Sequence, residues 1–283
     1  MLQRYEELKF KRTGGRGRRI TLSGGKVTVA NASKSKAGET LQIEGEATGL
    51  GTLRRLSQAF GSPQWNSFAE LVEQLRLFEI DVEKARRPSP PALSDRLAPD
   101  GSNLGWFLLW LKEAEPAAFA LVCEDVRFVL PGFEGFDFVT VGGADEAVRV
   151  DIKESHLSGA TPLAQASFGT IRAIALFAML HDPNPPRLTC LEEVDHGLHP
   201  HALDRLVDRM REASERTQII LATHSPALVN RLDPSELVIV EREEHTGGTR
   251  IFRPDLDTVT TLRQRTGYDL GELWFSGALG GAL

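Results

Sequence analysis

Hydrophobic and polar positions follow two different periods along this chain. Residues 1–50 alternate between polar and apolar positions, with turn glycines separating the runs. This period of two predicts a β-meander, with a solvated turn near Lys34. Residues 66–86 instead show apolar positions at helical spacing, which predicts one helix. These apolar positions are Phe68, Leu71, Leu75 and Phe78.

The middle of the chain is typical of two helices followed by strands. A capped apolar run at residues 104–111 predicts one helix. Residues 116–130 have an amphipathic pattern that ends at Pro131-Gly132, which predicts a second helix. Residues 139–152 alternate again and predict strands.

After residue 160, predicted helices and strands alternate. The predicted helices are 171–180, 201–214 and 226–231, and the predicted strands are 187–191, 218–222 and 236–240. Such alternation is typical of an α/β fold, in which helices cover a parallel sheet.

Composition and charge exclude several classes of protein. The 283 residues carry a formal net charge of −6, so the charge as a whole does not indicate nucleic-acid binding. The longest apolar stretch, 171–180, is too short to cross a bilayer, and the charged first residues do not resemble a secretory signal. We therefore expect a cytoplasmic protein without a membrane partner. Cys123 and Cys190 lie in apolar contexts, which predicts buried free thiols.

Two adjacent carboxylates end the predicted strand 187–191. Glu192 and Glu193 follow Leu188-Thr-Cys-Leu directly. The carboxyl ends of parallel strands are where α/β sheets bind ligands, and paired acids there suit a nucleotide site. One carboxylate can hold Mg²⁺ while the other orients or deprotonates a water molecule. The alternative is that both residues begin a solvated loop.

A histidine follows the next predicted strand. Thr223-His224-Ser225 comes directly after the apolar run at 219–222. A neutral imidazole at this edge can donate a hydrogen bond to a phosphate oxygen or hold a water molecule. The alternative is an ordinary, partly buried histidine.

A polar segment precedes the predicted helix 171–180. Ser167, Gly169 and Thr170 offer hydroxyl groups, free backbone N–H groups and a helix N-terminus, all of which favour anions. Arg172 adds a positive charge in the first turn and is a candidate ligand for the same phosphate. The alternative is a plain capped helix.

The order of these three motifs resembles the C-terminal lobe of ABC-type ATPases of the SMC/RecF/OLD kind. Within that group the chain is most similar to the AAA_21 family of predicted ATPases, firmly from about residue 80 onward. Further segments carry the resemblance: Arg86-Arg-Pro-Ser-Pro, Leu130-Pro-Gly-Phe and Leu270-Gly-Glu-Leu-Trp. The resemblance implies an α/β fold of the P-loop NTPase, ABC type.

The resemblance also implies roles for individual residues. Ser167, Gly169 and Thr170 match the signature motif, which in this family contacts the γ-phosphate of ATP bound to the opposite subunit. The implied partner is therefore a second copy of the chain, joined in a homodimer that sandwiches ATP. A DNA or protein client is implied by family analogy alone.

Glu192 matches the metal-side acid of the Walker B motif, and Glu193 matches the catalytic glutamate. His224 matches the switch histidine. Val194-Asp195-His196-Gly197 departs from the family's usual Pro-Glu-Asn-Gly, so the following loop is altered. The implied cofactors are ATP and Mg²⁺.

The sequence has no match to the P-loop pattern G-x-x-x-x-G-K-[ST]. Gly24-Gly25-Lys26 is followed by Val27, and Lys34-Ser35 lacks the glycines. A shortened reading frame, a deliberately divided protein and a degenerate relative all explain this, and the start within a β-rich region favours the first. We expect that this chain alone binds ATP weakly and hydrolyses it negligibly. A catalytically inactive, ABC-like interaction module in a DNA repair or phage-defence complex is the alternative function.

The expected fold is thus an incomplete ABC-type fold without its first strand and P-loop. We predict three segments. Residues 1–60 form a β-rich remnant of the N-lobe, 61–135 a helical insert or arm, and 136–283 the C-terminal ATPase lobe.

Overall fold

The computed structural model divides the chain into two compact units, Met1–Gln74 and Leu75–Leu283. It describes residues 5–12, 15–23, 26–31, 39–42, 63–90, 95–142, 146–243 and 247–280.

The first unit contains an antiparallel meander and one helix. Its elements are β1 (Tyr5–Arg12), β2 (Gly15–Ser23), β3 (Lys26–Asn31), β4 (Glu39–Gln42) and α1 (Pro63–Glu73). The four strands are neighbours in chain order, and Ile20 pairs with both Leu8 and Val29. The predicted meander is therefore confirmed. The turn predicted near Lys34 lies outside the described residues.

The second unit begins with a mixed run of helices and strands. These elements are β5 (Leu75–Phe78), α2 (Val82–Ala85), α3 (Leu104–Ala114), α4 (Pro116–Val129), β6 (Phe133–Val141), β7 (Ala147–Glu154) and β8 (Thr161–Pro162). The unit continues with α5 (Phe168–Leu180), β9 (Leu188–Glu192), α6 (Pro200–Ser214), β10 (Gln218–Ala222) and α7 (Pro226–Val229). It ends with β11 (Ile239–Arg242), β12 (Thr249–Phe252), α8 (Leu256–Thr266) and α9 (Leu270–Phe275).

A three-stranded parallel sheet, in the order β10-β9-β5, is the centre of the second unit. Leu188 of β9 pairs with Leu75 on one side and with Gln218 on the other, so all three strands begin at one edge and end at the opposite edge. The α/β class predicted from the sequence is confirmed. The single helix predicted for 66–86 is wrong, because strand β5 separates helix α1 from the short helix α2. Leu75–Phe78 gains parallel pairing with β9, and pairing overrides local spacing.

The two faces of this sheet have different surroundings. Phe78, Thr189 and Leu191 are buried on the face that packs into the main core. Leu75, Leu77 and Ile220 lie on the other face and are 42%, 46% and 52% exposed. Within the described residues, helices therefore cover one face of the sheet.

Helix α5 is the central element of the main core. Its residues Ile171 to Leu180 are buried with the exception of Arg172, as expected for a helix that is apolar on all sides. Helices α4 and α6 contribute Val122, Val126, Leu203 and Leu206 to the same core. The start of α5 lies at the edge where the parallel strands end.

The C-terminal part of the chain has a small core of its own. Strand β11 pairs antiparallel with β12, with Ile239 opposite Phe252, and does not join the parallel sheet. The buried members of this core are Val229, Ile239, Val259, Leu270, Leu273 and Leu279. None of the helices in the described part of the chain is long and apolar enough to span a membrane.

The three segments predicted from the sequence remain a prediction. The structure places a division at residues 74 and 75, and it shows that the predicted helical arm includes a strand of the parallel sheet, β5.

Candidate nucleotide site

The candidate site lies at the edge where β9 and β10 end. Glu192 is the last residue of β9 and pairs with Ala222, the last residue of β10. The Glu193 N–H donates to the Ala222 carbonyl at 3.1 Å. Because the two strands are parallel and end in register, Glu193 and His224 emerge from adjacent strand ends, as the sequence predicts.

Glu193 has an unusual backbone conformation. Its φ of 45° is the only positive value among the described residues other than glycine. A left-handed conformation costs a non-glycine residue roughly 1–2 kcal/mol, so surrounding contacts must hold it. The Glu193 carbonyl accepts hydrogen bonds from the His196 N–H at 3.2 Å and from Arg172 Nη1 at 2.9 Å. Strain of this kind often accompanies functional sites.

Arg172 reaches from α5 to two loops at the same sheet edge. Besides the Glu193 carbonyl, its Nη2 donates to the Ile80 carbonyl at 3.5 Å, in the loop that follows β5. The sequence places Arg172 among the phosphate ligands. In the structure its guanidinium binds two backbone carbonyls, which joins α5 to the ends of β5 and β9.

The predicted signature residues form the exposed start of α5. Ser167 is the N-cap: its Oγ accepts from the Thr170 N–H at 3.1 Å and lies 2.8 Å from Thr170 Oγ1. Phe168 is 56% exposed, and Arg86 lies over its ring at 5.4 Å from the centroid. The first N–H groups of a helix have no partner within it, so this end of α5 presents donors for an anion.

Gly169 is packed directly against the loop after β9. A Cβ built on Gly169 would lie 2.3 Å from the Gly197 carbonyl oxygen and 3.3 Å from its carbon. No side chain fits at that distance, so the helix start and the loop meet backbone to backbone. Gly197 itself has a φ of 77°, which favours glycine. The contact brings the predicted signature segment next to the loop that contains Glu193.

Asp195 and Thr223 join the two loops that follow β9 and β10. Thr223 Oγ1 donates to Asp195 Oδ1 at 3.3 Å and accepts from the Ser225 N–H at 3.0 Å. Ser225 then caps α7 by accepting from the Leu228 N–H. The sequence indicates Asp195 only as part of an altered loop. The signal that points to this contact is an acidic residue two positions after Glu193, together with a Thr before the histidine.

His224 and Glu192 are exposed, and Glu193 is half-buried. The imidazole of His224 lies beside the indole of Trp274, with ring centroids 6.4 Å apart at 33°. No hydrogen bond of the described residues occupies the Glu192 carboxylate, the Glu193 carboxylate or the His224 ring. All three side chains are therefore available to a ligand.

The donor set suits a Mg²⁺ ion bound together with phosphates. No group of three or more metal-ligating side chains occurs among the residues that the structure describes. Mg²⁺ typically takes one or two carboxylates and completes its shell with water and phosphate oxygens. Exposed Glu192 beside Glu193 fits that pattern, and an all-protein metal cage does not.

A comparison with protein families finds one match, which spans residues 52–230. The matching family is described as "AAA domain, putative AbiEii toxin, Type IV TA system". The chain belongs to this AAA-domain family. The family is AAA_21, so the resemblance seen in the sequence and the predicted P-loop NTPase class are both confirmed. No curated protein matches the chain at a significant level.

Several solved SMC head structures are also similar to this AAA-domain chain. One, from work on ATP-driven dimerization and DNA-stimulated activation of SMC ATPases, has 15% identity and a TM-score of 0.40, over 57% of this chain and 97% of its own. An SMC head bound to the C-terminal winged-helix domain of ScpA has 13% identity and a TM-score of 0.48, over 85% and 70%. The SMC head of Thermotoga maritima has 16% identity and a TM-score of 0.40, over 90% and 75%. Likeness at these scores carries no argument about function.

Proposed function

We propose that this sheet edge binds ATP with Mg²⁺ and hydrolyses the γ-phosphate, as part of an ABC-type ATPase. The observation that carries the proposal is the hydrogen bond between the Glu193 N–H and the Ala222 carbonyl. It brings the loop of the paired carboxylates against the loop of His224. Membership in an AAA-domain family supports the same function.

Each side chain at the edge has a role that its position allows. Glu192, exposed at the end of β9, holds Mg²⁺ directly or through water. Half-buried Glu193 orients or deprotonates the attacking water. The His224 imidazole donates to a γ-phosphate oxygen. When bound, ATP with Mg²⁺ supplies the phosphoryl group and the charge that these residues recognise.

The start of α5 acts on a second copy of the chain. Ser167 is exposed and Gly169 and Thr170 are half-buried, and among the described residues none of the three makes a hydrogen bond to Glu193 or His224. The Ser167 and Thr170 hydroxyl groups lie 2.8 Å apart and share one hydrogen bond, so the hydroxyl that accepts in this bond keeps its own hydrogen for a phosphate oxygen. This polar end is suited to the γ-phosphate of ATP held by the partner, which makes the active form a homodimer.

Arg172 has a positioning role in this proposal. Its guanidinium binds the Glu193 and Ile80 carbonyls, so it acts on the phosphate through the loop that carries Glu193.

ATP hydrolysis by matched proteins tests the function. We compare the 283-residue chain with the same chain joined to a P-loop segment taken from a member of the family. We expect negligible turnover from the chain alone and measurable turnover from the joined protein. In the joined protein, Glu193→Gln should lower kcat roughly a hundredfold or more while ATP binding persists, because the carboxamide cannot accept the proton of the water.

Glu215→Gln is the matched control, since it makes the same change at the C-terminal end of α6, and it should leave turnover unchanged. Unaltered kcat in Glu193→Gln would remove the role given to Glu193. Micromolar affinity of the chain alone for Mg·ATP, measured by calorimetry, would refute the expectation of weak binding.

A nucleotide-independent docking module is the second candidate function. The observation that favours it is that no G-x-x-x-x-G-K-[ST] pattern occurs in the sequence. Failure of the joined protein to bind ATP would support this candidate. The client, whether DNA or protein, is proposed by family analogy alone.

A further inference from the structure

Trp274 is the aromatic ring that lies beside His224. It belongs to α9, far along the chain from the strands that form the candidate site. The His224 ring is otherwise exposed, and no hydrogen bond within the described residues holds it. An exposed histidine without a partner samples several rotamers, so a neighbouring aromatic face restricts its orientation.

Helix α9 is held close to α7, the helix that follows His224. The Gly271 N–H donates to Asn230 Oδ1 at 2.6 Å. A Cβ built on Gly271 would lie 2.3 Å from the Pro226 carbonyl oxygen and 2.7 Å from Asn230 Oδ1. Pro226 is the first residue of α7 and Asn230 is its C-cap, and α7 starts two residues after His224. Only glycine allows α9 to come this close to α7.

The remainder of α9 is anchored independently. Leu270 and Leu273 are 2% and 0% exposed in the C-terminal core. A capping box closes its start, with the Asp269 N–H donating to Glu272 Oε2 at 2.9 Å. Trp274 follows Leu273 directly, so the packing of the C-terminal core sets the position of the indole.

We propose that Trp274 is a positioning residue for His224 and that α9 is therefore part of the nucleotide site. The proposal rests on the proposed function, in which His224 meets the γ-phosphate. The indole restricts the imidazole to orientations in which a ring nitrogen points out of the sheet edge. The close contact of Gly271 with α7 keeps the indole in place. A change in the packing of the C-terminal core therefore alters the orientation of His224 through α9.

NMR of the full chain with ¹³C-labelled histidine tests the contact without any nucleotide. The His224 ring signals are assigned by their loss in His224→Gln. Trp274→Leu should displace these signals more than those of the remaining histidines, because the indole ring current is removed. Trp274→Phe keeps an aromatic face and should displace them less.

Two further variants show whether the displacement of the His224 signals comes from Trp274 and from the position of α9. Phe275→Leu removes a neighbouring ring of α9 that is 75% exposed, and it should leave the His224 signals in place. Asn230→Ala removes the hydrogen bond to Gly271 without touching Trp274 or His224, and it should displace the His224 signals. It also carries the test if Trp274→Leu does not fold. Unmoved His224 signals in both Trp274→Leu and Asn230→Ala would overturn the proposal.

Turnover of the joined protein separates this proposal from the proposed function. Trp274→Leu should lower kcat roughly tenfold with KM little changed, because misorientation of a catalytic group raises the barrier to reaction. Trp274→Phe should retain most of the rate. General unfolding of variants at position 274 would not produce this difference between Phe and Leu. Absence of turnover in the unsubstituted joined protein counts against the proposed function alone, whereas full turnover in Trp274→Leu counts against the positioning role.

Discussion

At the residue scale, Glu193 has a left-handed backbone conformation that is unfavourable in free energy. Its left-handed conformation is balanced by hydrogen bonds to Ala222, His196 and Arg172. Of these, the bond from Arg172 is charge-assisted, and such bonds are stronger than those between neutral groups. Since the same guanidinium reaches the Ile80 carbonyl, one side chain determines the position of two loops.

Replacement of Arg172 by Met should loosen the loop that carries Glu193. A hydrogen bond from a charged group contributes about 2 kcal/mol, so the free energy of unfolding in urea should fall by about that amount. Amide exchange at residues 193–198 should quicken, because the His196 N–H donates to the carbonyl that Arg172 orients. Arg87→Met, at an exposed arginine, is the control. Exchange that stays at the original rate would show that Arg172 does not hold the loop.

At the element scale, two sets of contacts hold helix α5 in place. One is the start of α5 against the loop at Gly197. The other joins α4, α5 and α6 through Asp125, which is fully buried on α4. His181 Nε2 and Arg205 Nε each lie 2.5 Å from its carboxylate, and Arg209 Nε lies 2.9 Å from it. The first contact holds the start of α5 at the sheet edge, and the second holds its C-terminal end against α4 and α6.

Gly169→Ala should disturb the contact between α5 and the loop at Gly197. The added methyl group meets the Gly197 carbonyl oxygen at 2.3 Å, so one of the two backbones must move. Overpacking of this kind costs about 1–3 kcal/mol in stability. Thermal unfolding measures it, and Gly159→Ala, where no atom lies within 4 Å, should change stability by less than about 0.5 kcal/mol. Equal stability of the two variants would contradict the close approach.

Asp125→Asn should destabilise the packing of α4, α5 and α6. The change leaves Arg205 and Arg209 without their buried partner, which costs roughly 3 kcal/mol. Glu124→Gln removes the exposed partner of the same two arginines and should cost less than about 1 kcal/mol. Urea unfolding at pH 7 separates the two variants, and equal losses would contradict the central role of Asp125.

The Asp125 contribution also has a defined pH dependence. Burial opposes ionisation, but hydrogen bonds from His181 and Arg209 outweigh it and hold the pKa of Asp125 below its usual value. A lowered folded-state pKa stabilises the protein fully above the unfolded-state value of about 4. The stability difference between the original protein and Asp125→Asn should therefore shrink as the pH falls below about 4. A difference that stays constant down to pH 2–3 would exclude this linkage.

At the scale of the whole molecule, the described residues cover one face of the parallel sheet in the second unit. Leu191 is 2% exposed on the packed face, whereas Leu77 of the neighbouring strand β5 is 46% exposed on the other. The residues of the candidate nucleotide site lie at the ends of these strands, so the candidate site depends on the packed face for its position.

Leu191→Ala and Leu77→Ala compare the two faces directly. Loss of a fully buried leucine side chain typically costs 2–5 kcal/mol, and we expect about 3 kcal/mol for Leu191→Ala. Leu77→Ala should cost about 1 kcal/mol or less, because half of that side chain is already in contact with water. Chemical denaturation of both variants gives the comparison. A similar loss for Leu77→Ala would mean that its face is covered in solution.

Much of the second unit can be predicted from local patterns. The strand at 218–222 agrees with the prediction residue for residue, and helices α4, α5 and α6 differ from their predicted bounds by a few residues. Hydrophobic periodicity and Pro or Gly at the ends are local signals, so they identify an element without its neighbours. The location of Glu192, Glu193 and His224 at one edge follows from the same signals, because strand ends in a parallel sheet share one edge.

The sequence by itself determined the family, the α/β class and the edge at which the acidic pair and His224 emerge. Only the tertiary structure decided that 75–78 is a strand, that Arg172 binds backbone carbonyls and that Trp274 lies beside His224. These three facts depend on pairing, on the direction of a side chain and on contact between segments distant in sequence. Such features gain their free energy from partners elsewhere in the chain, so no local pattern of residues encodes them.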